Sequence, residues 1–455
     1  MTDVNEAYIS DAVESRRRIC FLGIGGIGMS ALAEWCSRIG VSVYGYDRAQ
    51  GENTERLVRH GIPVTVGDTF SPEQGTALCV QTAAIGNEDA ALSAVRRAGI
   101  PTVTRAAFLS AVSLRYRHRI AVAGTHGKST TVAMLSSVLS AAGVMPTVFC
   151  GAVMSQSNSP LLYGKEDFLV VEACEYKRAF LSLSPTAAVV LSTERDHPDT
   201  YDTEASSLAA YREFLHLPTV TRAVTRADVG EGFLFSDAAV GADLYAADVT
   251  YDNGCASFFP ILFGRREKRV HLSVPGRHNM ENACAAYLTA YLHGVPTAVI
   301  ADGLTAYRGI ARRMEYVGRC RGAAIYVDYA HHPTELCEAI GCARKMSGGR
   351  IIVVFESHTY SRTRAFYPEF LSALSSADLL FVTDIFAARE TETLGMSGKR
   401  LARDAGGVYI ADGASARAAI LPLLCKGDIL LFLGAGNFFR VSREFPLDGE
   451  GEHLL

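Results

Sequence analysis

The stretch Ile120-Ala-Val-Ala-Gly124-Thr125-His126-Gly127-Lys128-Ser129-Thr130-Thr131 decides how the rest of the chain is read. Its apolar start predicts a buried strand and its glycines a loop. The spacing of Val132, Leu135, Ser136 and Leu139 predicts an amphipathic helix over 129–140. A loop so placed is a phosphate cradle. Gly124 and Gly127 let backbone N–H groups converge on an anion, and the helix start adds its positive dipole end. Lys128 reaches terminal phosphates, and Ser129 offers a hydroxyl to magnesium. A strict Walker A sequence has a glycine five residues before Gly127, where this chain has Val122, so the loop opens at Gly124. The competing reading is an ordinary glycine-rich strand-to-helix turn, which rarely sets Gly-Lys-Ser at the helix start.

Upstream, Arg18–Gly23 predicts a strand that opens into Gly23-Ile-Gly25-Gly26-Ile-Gly28, then a helix over Met29–Ile39 and a strand over Val41–Tyr46 ending in Asp47. This is a diphosphate fingerprint. Its glycines allow close approach, and the carboxylate can take a ribose hydroxyl. NAD, FAD and a UDP-sugar all remain open, as does a plain tight turn. The alternation of strands and helices continues to about Ser113, and the basic stretch Arg115–Arg119 reads as a linker or solvated edge.

Downstream, Phe168–Glu172 and Ala187–Leu191 predict strands. The first delivers Glu172, the second Glu194, Asp196 and His197, at ends that face the ligand crevice of a parallel sheet. Magnesium prefers oxygen ligands, so Ser129 and Glu172 suit its inner shell, while His197 is either a ligand, acts through water, or caps a turn before Pro198. Between Asp228 and His271 short strands and turns are expected. Val274-Pro-Gly276-Arg277-His278-Asn279-Met-Glu-Asn282 then enters an apolar helix, where the asparagines are either caps or purine contacts. After the polar crossing Tyr307–Met314, strands are expected at 324–328, 350–356, 379–384, 408–412 and 428–434. Their ends carry Asp328-Tyr329-Ala-His331-His332, His358–Thr363, Asp384 with Arg389, and Gly434–Asn437. The tail from Asp448 is expected to be disordered.

At 455 residues the chain suits about three domains at ~150 residues each. A net charge of -4 implies no broad basic surface, so no nucleic-acid partner is expected. The 11 cysteines include no CxxC pair and are odd in number, which argues for reduced thiols and a cytoplasmic location. No signal-like start and no run near ~18 apolar residues is present, so no membrane association is expected.

Nine blocks in order, GIGGIGMS, AVAGTHGKST, VVEACEYKRAFL, ERDHPDTY, PGRHN, ARRMEYVG, VDYAHHPTE, HTYSRTR and GAGN, resemble the Mur ligase family over nearly the whole chain. The resemblance implies an α/β protein of three domains. These are a Rossmann-like UDP-sugar domain (1–113), a central P-loop ATPase with a mostly parallel sheet (114–311), and a C-terminal Rossmann-like domain that brings the amino acid (312–455). It implies ATP-dependent ligation of L-alanine to the lactyl carboxylate of UDP-N-acetylmuramate through an acyl phosphate, in peptidoglycan precursor synthesis, by a monomer or homodimer. It resolves the first glycine turn toward the nucleotide-sugar, with Gly23, Gly25, Gly26, Gly28, Asp47 and Ala84 of the Thr82–Ile85 loop facing it. It implies that ATP is held by Gly124, Thr125, His126, Gly127, Lys128, Ser129 and Thr130, with Asn282 near the adenine and Arg313 and Asp328 at the nucleotide. Ser129, Glu172 and His197 would hold magnesium. His331 and Arg362, with Arg364 as a further candidate, would lie where acceptor and phosphate meet, beside Tyr329 and His332. His332 or His197 is the candidate base.

The chain departs from the family pattern at Cys174, where an Asp is common, at Ser192, where Asn is common, at Pro198, and at Glu356-Ser357, where Gln-Pro is common. Cys174 is read either as an inert buried thiol or as a point of oxidation sensitivity. The competing functions are a recycling ligase that adds a preformed tripeptide, an NAD-dependent dehydrogenase, which leaves Gly124–Thr130 idle, and a catalytically silent nucleotide sensor.

Overall fold

The structure, a computed structural model, describes residues 5–197, 200–237, 241–388 and 390–448. Pro198, Arg389 and the tail 449–455, all named above, lie outside those residues. Asp448 is described, and its carboxylate accepts N–H groups of Arg321 and Gly322 at 2.8 and 2.6 Å, so the expected disorder does not begin there.

The chain divides into two compact units, one of Met1–Thr193, Leu208–Leu234 and Thr289–Val295, the other of Glu194–Ser207, Phe235–Leu288 and Pro296–Leu455. The first unit opens with a fully parallel sheet in the order Val64–Val66, Val43–Asp47, Arg18–Leu22, Thr76–Gln81, Thr102–Thr104. Strand order reverses at Arg18–Leu22, which puts Gly23 at the switch point, where open parallel sheets bind ligands. The helix after it is Ile27–Arg38, two residues earlier than the sequence suggests, because Gly26 takes the cap position and Gly28 falls inside the first turn.

The same unit holds a second sheet, ordered Arg222–Arg226, Ala187–Val190, His118–Ala123, Phe168–Glu172, Thr147–Met154, Ser159–Leu162. Every pairing in that series is parallel except the last. Register sets Val122 beside Glu172 and Ala123 beside Val190, so three neighbouring strands end together at Gly124, Glu172 and Leu191. The basic stretch is a linker only over residues 115–117, and its last two residues open the strand His118–Ala123. Arg115 pairs with Glu166 at 2.6 Å and stacks over Trp35, while Arg119 donates to the carbonyls of Ser184 and Tyr116.

In the second unit, Leu244–Asp252 pairs antiparallel with Cys255–Leu262, which also pairs with Val270–Pro275. Asn282 is found within the helix Arg277–Leu292 rather than at its entrance, because Gly276, at φ +110°, starts that helix. The C-terminal sheet runs Glu315–Cys320, Ala323–Asp328, Ile429–Gly434, Ile351–Glu356, Leu379–Val382, Val408–Tyr409, antiparallel only in its first pair. Apolar clusters around Val353, Phe355 and Leu431 on one face and Ile325, Val354 and Phe432 on the other bury both sides, as parallel sheets require. The strand expected to reach Asp412 stops at Tyr409. Asp412 instead caps the helix Gly413–Ile420, its carboxylate accepting the Ser415 N–H at 2.7 Å.

Candidate active site

The phosphate loop closes as its sequence demands. Gly124 (φ +136°) and Gly127 (φ +83°) both take left-handed backbone, and a Cβ on Gly124 would stand 3.0 Å from Leu191 Cβ and Ser192 N. Loop and neighbouring strand are tied together where Thr125 N–H donates to Ser192 O and His126 N–H to Ser192 Oγ, each at 3.0 Å. Helix Lys128–Ala141 follows, with Ser129 and Thr130 buried in its first turn. Lys128 Nζ donates back to Gly124 O at 2.5 Å and Thr125 O at 3.2 Å, and lies 2.9 Å from Glu175 Oε2. Burial alone would lower its pKa, but attraction to Glu175 and Glu172 outweighs burial and raises it, so the ammonium stays charged.

Ser129 Oγ donates to Glu172 Oε2 at 2.6 Å, and the same oxygen accepts Gly151 N–H at 2.8 Å. A Cβ on Gly151 would fall 2.3 Å from that oxygen, so the glycine makes the room the carboxylate occupies. A hydroxyl and a carboxylate held together beside a phosphate loop form a hard-oxygen donor set that fits magnesium.

At the first glycine turn, Gly25 N–H donates to Asp47 Oδ2 at 2.8 Å and Asn53 Nδ2 donates to Gly25 O at 2.8 Å. One oxygen of Asp47 therefore shapes the turn, and the other accepts Ala49 N–H at 3.3 Å. Gly26 N–H closes onto Gly23 O, and the first-turn N–H groups that follow are the ones a helix start leaves for an anion. Ala84 stands in a turn that Ile85 closes onto Thr82, whose methyl would lie 2.5 Å from a Cβ on Gly23.

In the second unit, Arg362 grips Asp196 with two parallel bonds, Nε–Oδ1 at 3.0 Å and Nη2–Oδ2 at 3.1 Å, and Nη1 lies 3.1 Å from His358 Nδ1. Burial favours the neutral acid, but Arg362 and His197 overcome it and hold Asp196 well below the usual carboxylate range. His197, at φ +54°, donates its N–H to Asp196 Oδ1 at 2.7 Å. Glu194 accepts Thr334 Oγ1 at 2.8 Å. His331 packs on Tyr329 and His358, with its N–H 3.0 Å from Glu335 Oε2. His332 is the N-cap of helix Pro333–Met346, its Nδ1 accepting Thr334 N–H at 3.4 Å.

Asp328 is buried, and both its oxygens are used locally, on Met314 N–H at 2.8 Å and Ala330 N–H at 2.7 Å. Burial raises its pKa against the pull of Arg313. Arg313 lies over the Tyr329 ring and 3.5 Å from Glu335. Asn282 Nδ2 meets Asn279 Oδ1 at 3.4 Å, and Asn279 Nδ2 donates to Pro275 O. Asp384, grouped with these strand ends by sequence, is exposed beside Tyr409.

Residues 18–117 match the Mur ligase family catalytic domain, 122–290 the Mur ligase middle domain, and 312–436 the Mur ligase glutamate ligase domain. The chain belongs to the Mur ligase family. A relative from Chlorobium phaeovibrioides, UDP-N-acetylmuramate–L-alanine ligase, is 36% identical over 96% of this chain and 99% of its own. The crystal structure of the UDP-N-acetylmuramate-alanine ligase of Thermotoga maritima is similar at a TM-score of 0.82 and 25% identity, covering 94% of this chain and 98% of that one. A murein peptide ligase from Psychrobacter arcticus shares the fold at a TM-score of 0.71 and 22% identity, over 94% and 98% of the two chains.

Three of the positions where this Mur ligase departs from the family pattern, Ser192, Cys174 and Glu356, have described surroundings. Ser192 holds the phosphate loop through the bond to His126 already described. Burial, reinforced by Glu175 and only partly offset by Lys128, pushes the half-buried Cys174 thiol up to about 11, so it is protonated at neutral pH. Glu356 Oε2 accepts Phe438 N–H at 2.9 Å and fills the space a Cβ on Gly436 would need, so it shapes the Gly434–Asn437 turn. Arg312 Nη2 donates to Gly434 O and Gly436 O of that turn. Gly151, Glu175, Asn53 and Arg312 were not picked out from sequence as site residues. Glu175 alone carried a signal, a second acid three residues after Glu172.

Proposed function

We infer that this chain joins L-alanine to the lactyl carboxylate of UDP-N-acetylmuramate, with ATP as the driving reagent, in peptidoglycan precursor synthesis in the cytoplasm. The observation that carries the reading is the phosphate loop with Lys128 inside it and the Ser129–Glu172 oxygen pair at its edge, held by Gly151 N–H. A dehydrogenase has no use for either. The relatives named for this reaction, which match along nearly the whole chain, support the choice of substrates.

A carboxylate is a poor acyl donor, so the lactyl oxygen first takes the γ-phosphoryl group, giving an acyl phosphate and ADP. The alanine amine then attacks the acyl carbon, the C–O bond to phosphate breaks, and the amine's proton leaves. Both halves gather negative charge. Lys128, kept cationic by Glu175, is assigned to the terminal phosphates, where preorganised charge lowers the barrier. Ser129 and Glu172 would hold magnesium, with His197 as a further ligand, and the ion would supply charge neutralisation on the phosphates. The glycine turn at 23–28 is assigned to the UDP diphosphate. Asn282, Arg313 and Asp328 are assigned to the nucleotide, and His331, Tyr329, His332 and Arg362 to the acceptor side. The proposed domain limits are 1–113, 114–311 and 312–455.

The test is phosphate release from ATP and magnesium with UDP-N-acetylmuramate, comparing L-alanine, a tripeptide and no acceptor. Release that needs both sugar and alanine is expected. Release with the tripeptide alone would move the chain to recycling, and no release in any arm would leave a silent nucleotide binder.

A further inference from the structure

A buried polar network lies behind the first glycine turn, and the proposed reaction does not use it. Asn53, which donates to Gly25 O, accepts Arg56 Nη1 on its Oδ1 at 2.6 Å. Arg56 Nη2 donates to Ser30 Oγ at 2.9 Å, and Ser30 Oγ donates to Ile27 O at 2.9 Å. One guanidinium thus reaches both the Gly25 carbonyl, through Asn53, and the first turn of the following helix, through Ser30. Arg56 is 7% exposed. Its counter-charge Glu34 is 2% exposed, with Oε2 3.8 Å from Arg56 Nε. Glu34 also accepts Ser159 Oγ at 2.7 Å from the second sheet of the same unit.

Burying such a pair is weak ground for stability, because apolar residues of the same volume are often as stable. Apolar residues cannot do what the guanidinium does here. Arginine has donors only, so the atom of Asn53 that faces it must be the amide oxygen. The other end of that amide is then a donor, and it faces Gly25 O. Arg56 and Gly25 O demand the same orientation of the Asn53 amide, and without Arg56 its oxygen loses the partner that anchors it from the far side. Asn53 and Arg56 are three apart on helix Glu52–Arg59 and share its face, which lets one side chain set the other.

We propose that Arg56 is a positioning residue for nucleotide-sugar binding, fixing the Gly25 peptide through Asn53 and the start of helix Ile27–Arg38 through Ser30. The proposal rests on the assignment of this turn to the UDP diphosphate.

The experiment uses the full chain and the variants Asn53→Ala, Arg56→Met, the double variant, Arg56→Lys and Gly25→Ala. It reads KM for UDP-N-acetylmuramate, KM for ATP, kcat and Tm. Asn53→Ala and Arg56→Met are each expected to raise KM for the nucleotide-sugar about tenfold, the scale of one hydrogen bond. KM for ATP and kcat should stay within about twofold. The double variant should be no worse than Arg56→Met, since one residue acts through the other, and Arg56→Lys should recover part of the loss. Additive losses in the double variant overturn the proposal. So does a fall in Tm with KM unchanged, or an equal rise in both KM values. If Arg56→Met does not fold, the partly buried Asn53→Ala carries the test. A raised KM in Gly25→Ala with none in Asn53→Ala refutes the proposal and leaves the diphosphate assignment standing. An unchanged KM in both removes the assignment itself.

Discussion

Replacing Gly151 by alanine tests the oxygen cluster at a residue that contributes no functional group. The added Cβ would sit 2.3 Å from Glu172 Oε2 and 2.7 Å from its Cδ and Oε1, where ordinary contact begins at 3.4 Å. The carboxylate must therefore retreat by about 1 Å. Its bonds to Ser129 Oγ at 2.6 Å and Gly151 N–H at 2.8 Å cannot both survive that move. A hydrogen bond to a charged group contributes about 1.5–3 kcal/mol, so losing most of one is a change of roughly 2 kcal/mol. That corresponds to about a thirtyfold weaker apparent magnesium constant. The assay is initial-rate phosphate release against free magnesium at constant magnesium-ATP, with circular dichroism to establish that the variant is folded. A folded Gly151→Ala protein whose magnesium constant stays within about threefold of the parent would refute the assignment of Glu172 to the metal.

Lys128→Ala should lower turnover more than about a hundredfold if the ammonium has the phosphate role proposed for it; near-normal turnover in the folded variant would remove that role. Asp196→Asn leaves Arg362 buried without its bidentate partner and should cost about 3–5 kcal/mol in urea unfolding. The folded pKa of Asp196 is depressed, so its contribution is full above the unfolded value of about 3.9 and is lost as pH falls through the folded one. The stability gap between parent and variant should be constant from about pH 6 to 8 and narrow under acid, and a gap that closes on going from about pH 8 to 6 contradicts this. Cys174, pushed up to about 11, should resist iodoacetamide at neutral pH while exposed Cys425 and Cys337 are labelled first, as peptide mass mapping would read; early loss of Cys174 contradicts its protonated state.

Both glycine turns, the switch-point strand and the run of polar strand ends were legible in sequence. The two turns are local, each with a glycine in a left-handed conformation, an apolar strand before it and a helix start soon after it. Caps, not periodicity, set the element limits: Gly26 starts its helix two residues before the expected Met29, and Asp412, expected at a strand end, caps a helix instead. The roles of several polar residues were less legible. Asp328 and His332 have the composition of ligands, and the fold adds a local role that spacing does not show, a chain crossing held by one and a helix start capped by the other. Nothing in the spacing of a carboxylate or an imidazole tells which backbone N–H it will meet.

Sequence by itself thus determined the α/β class, the two glycine turns and the family, because these depend on short runs and their order. Only the tertiary structure decided the pairings that give the charges their work. Arg362 finds Asp196 from 166 residues away, Lys128 finds Glu175 from 47, and Glu34 finds Ser159 from 125. A buried charge must be matched by whatever the packed sheets bring within bonding distance, and chain spacing carries no record of that distance.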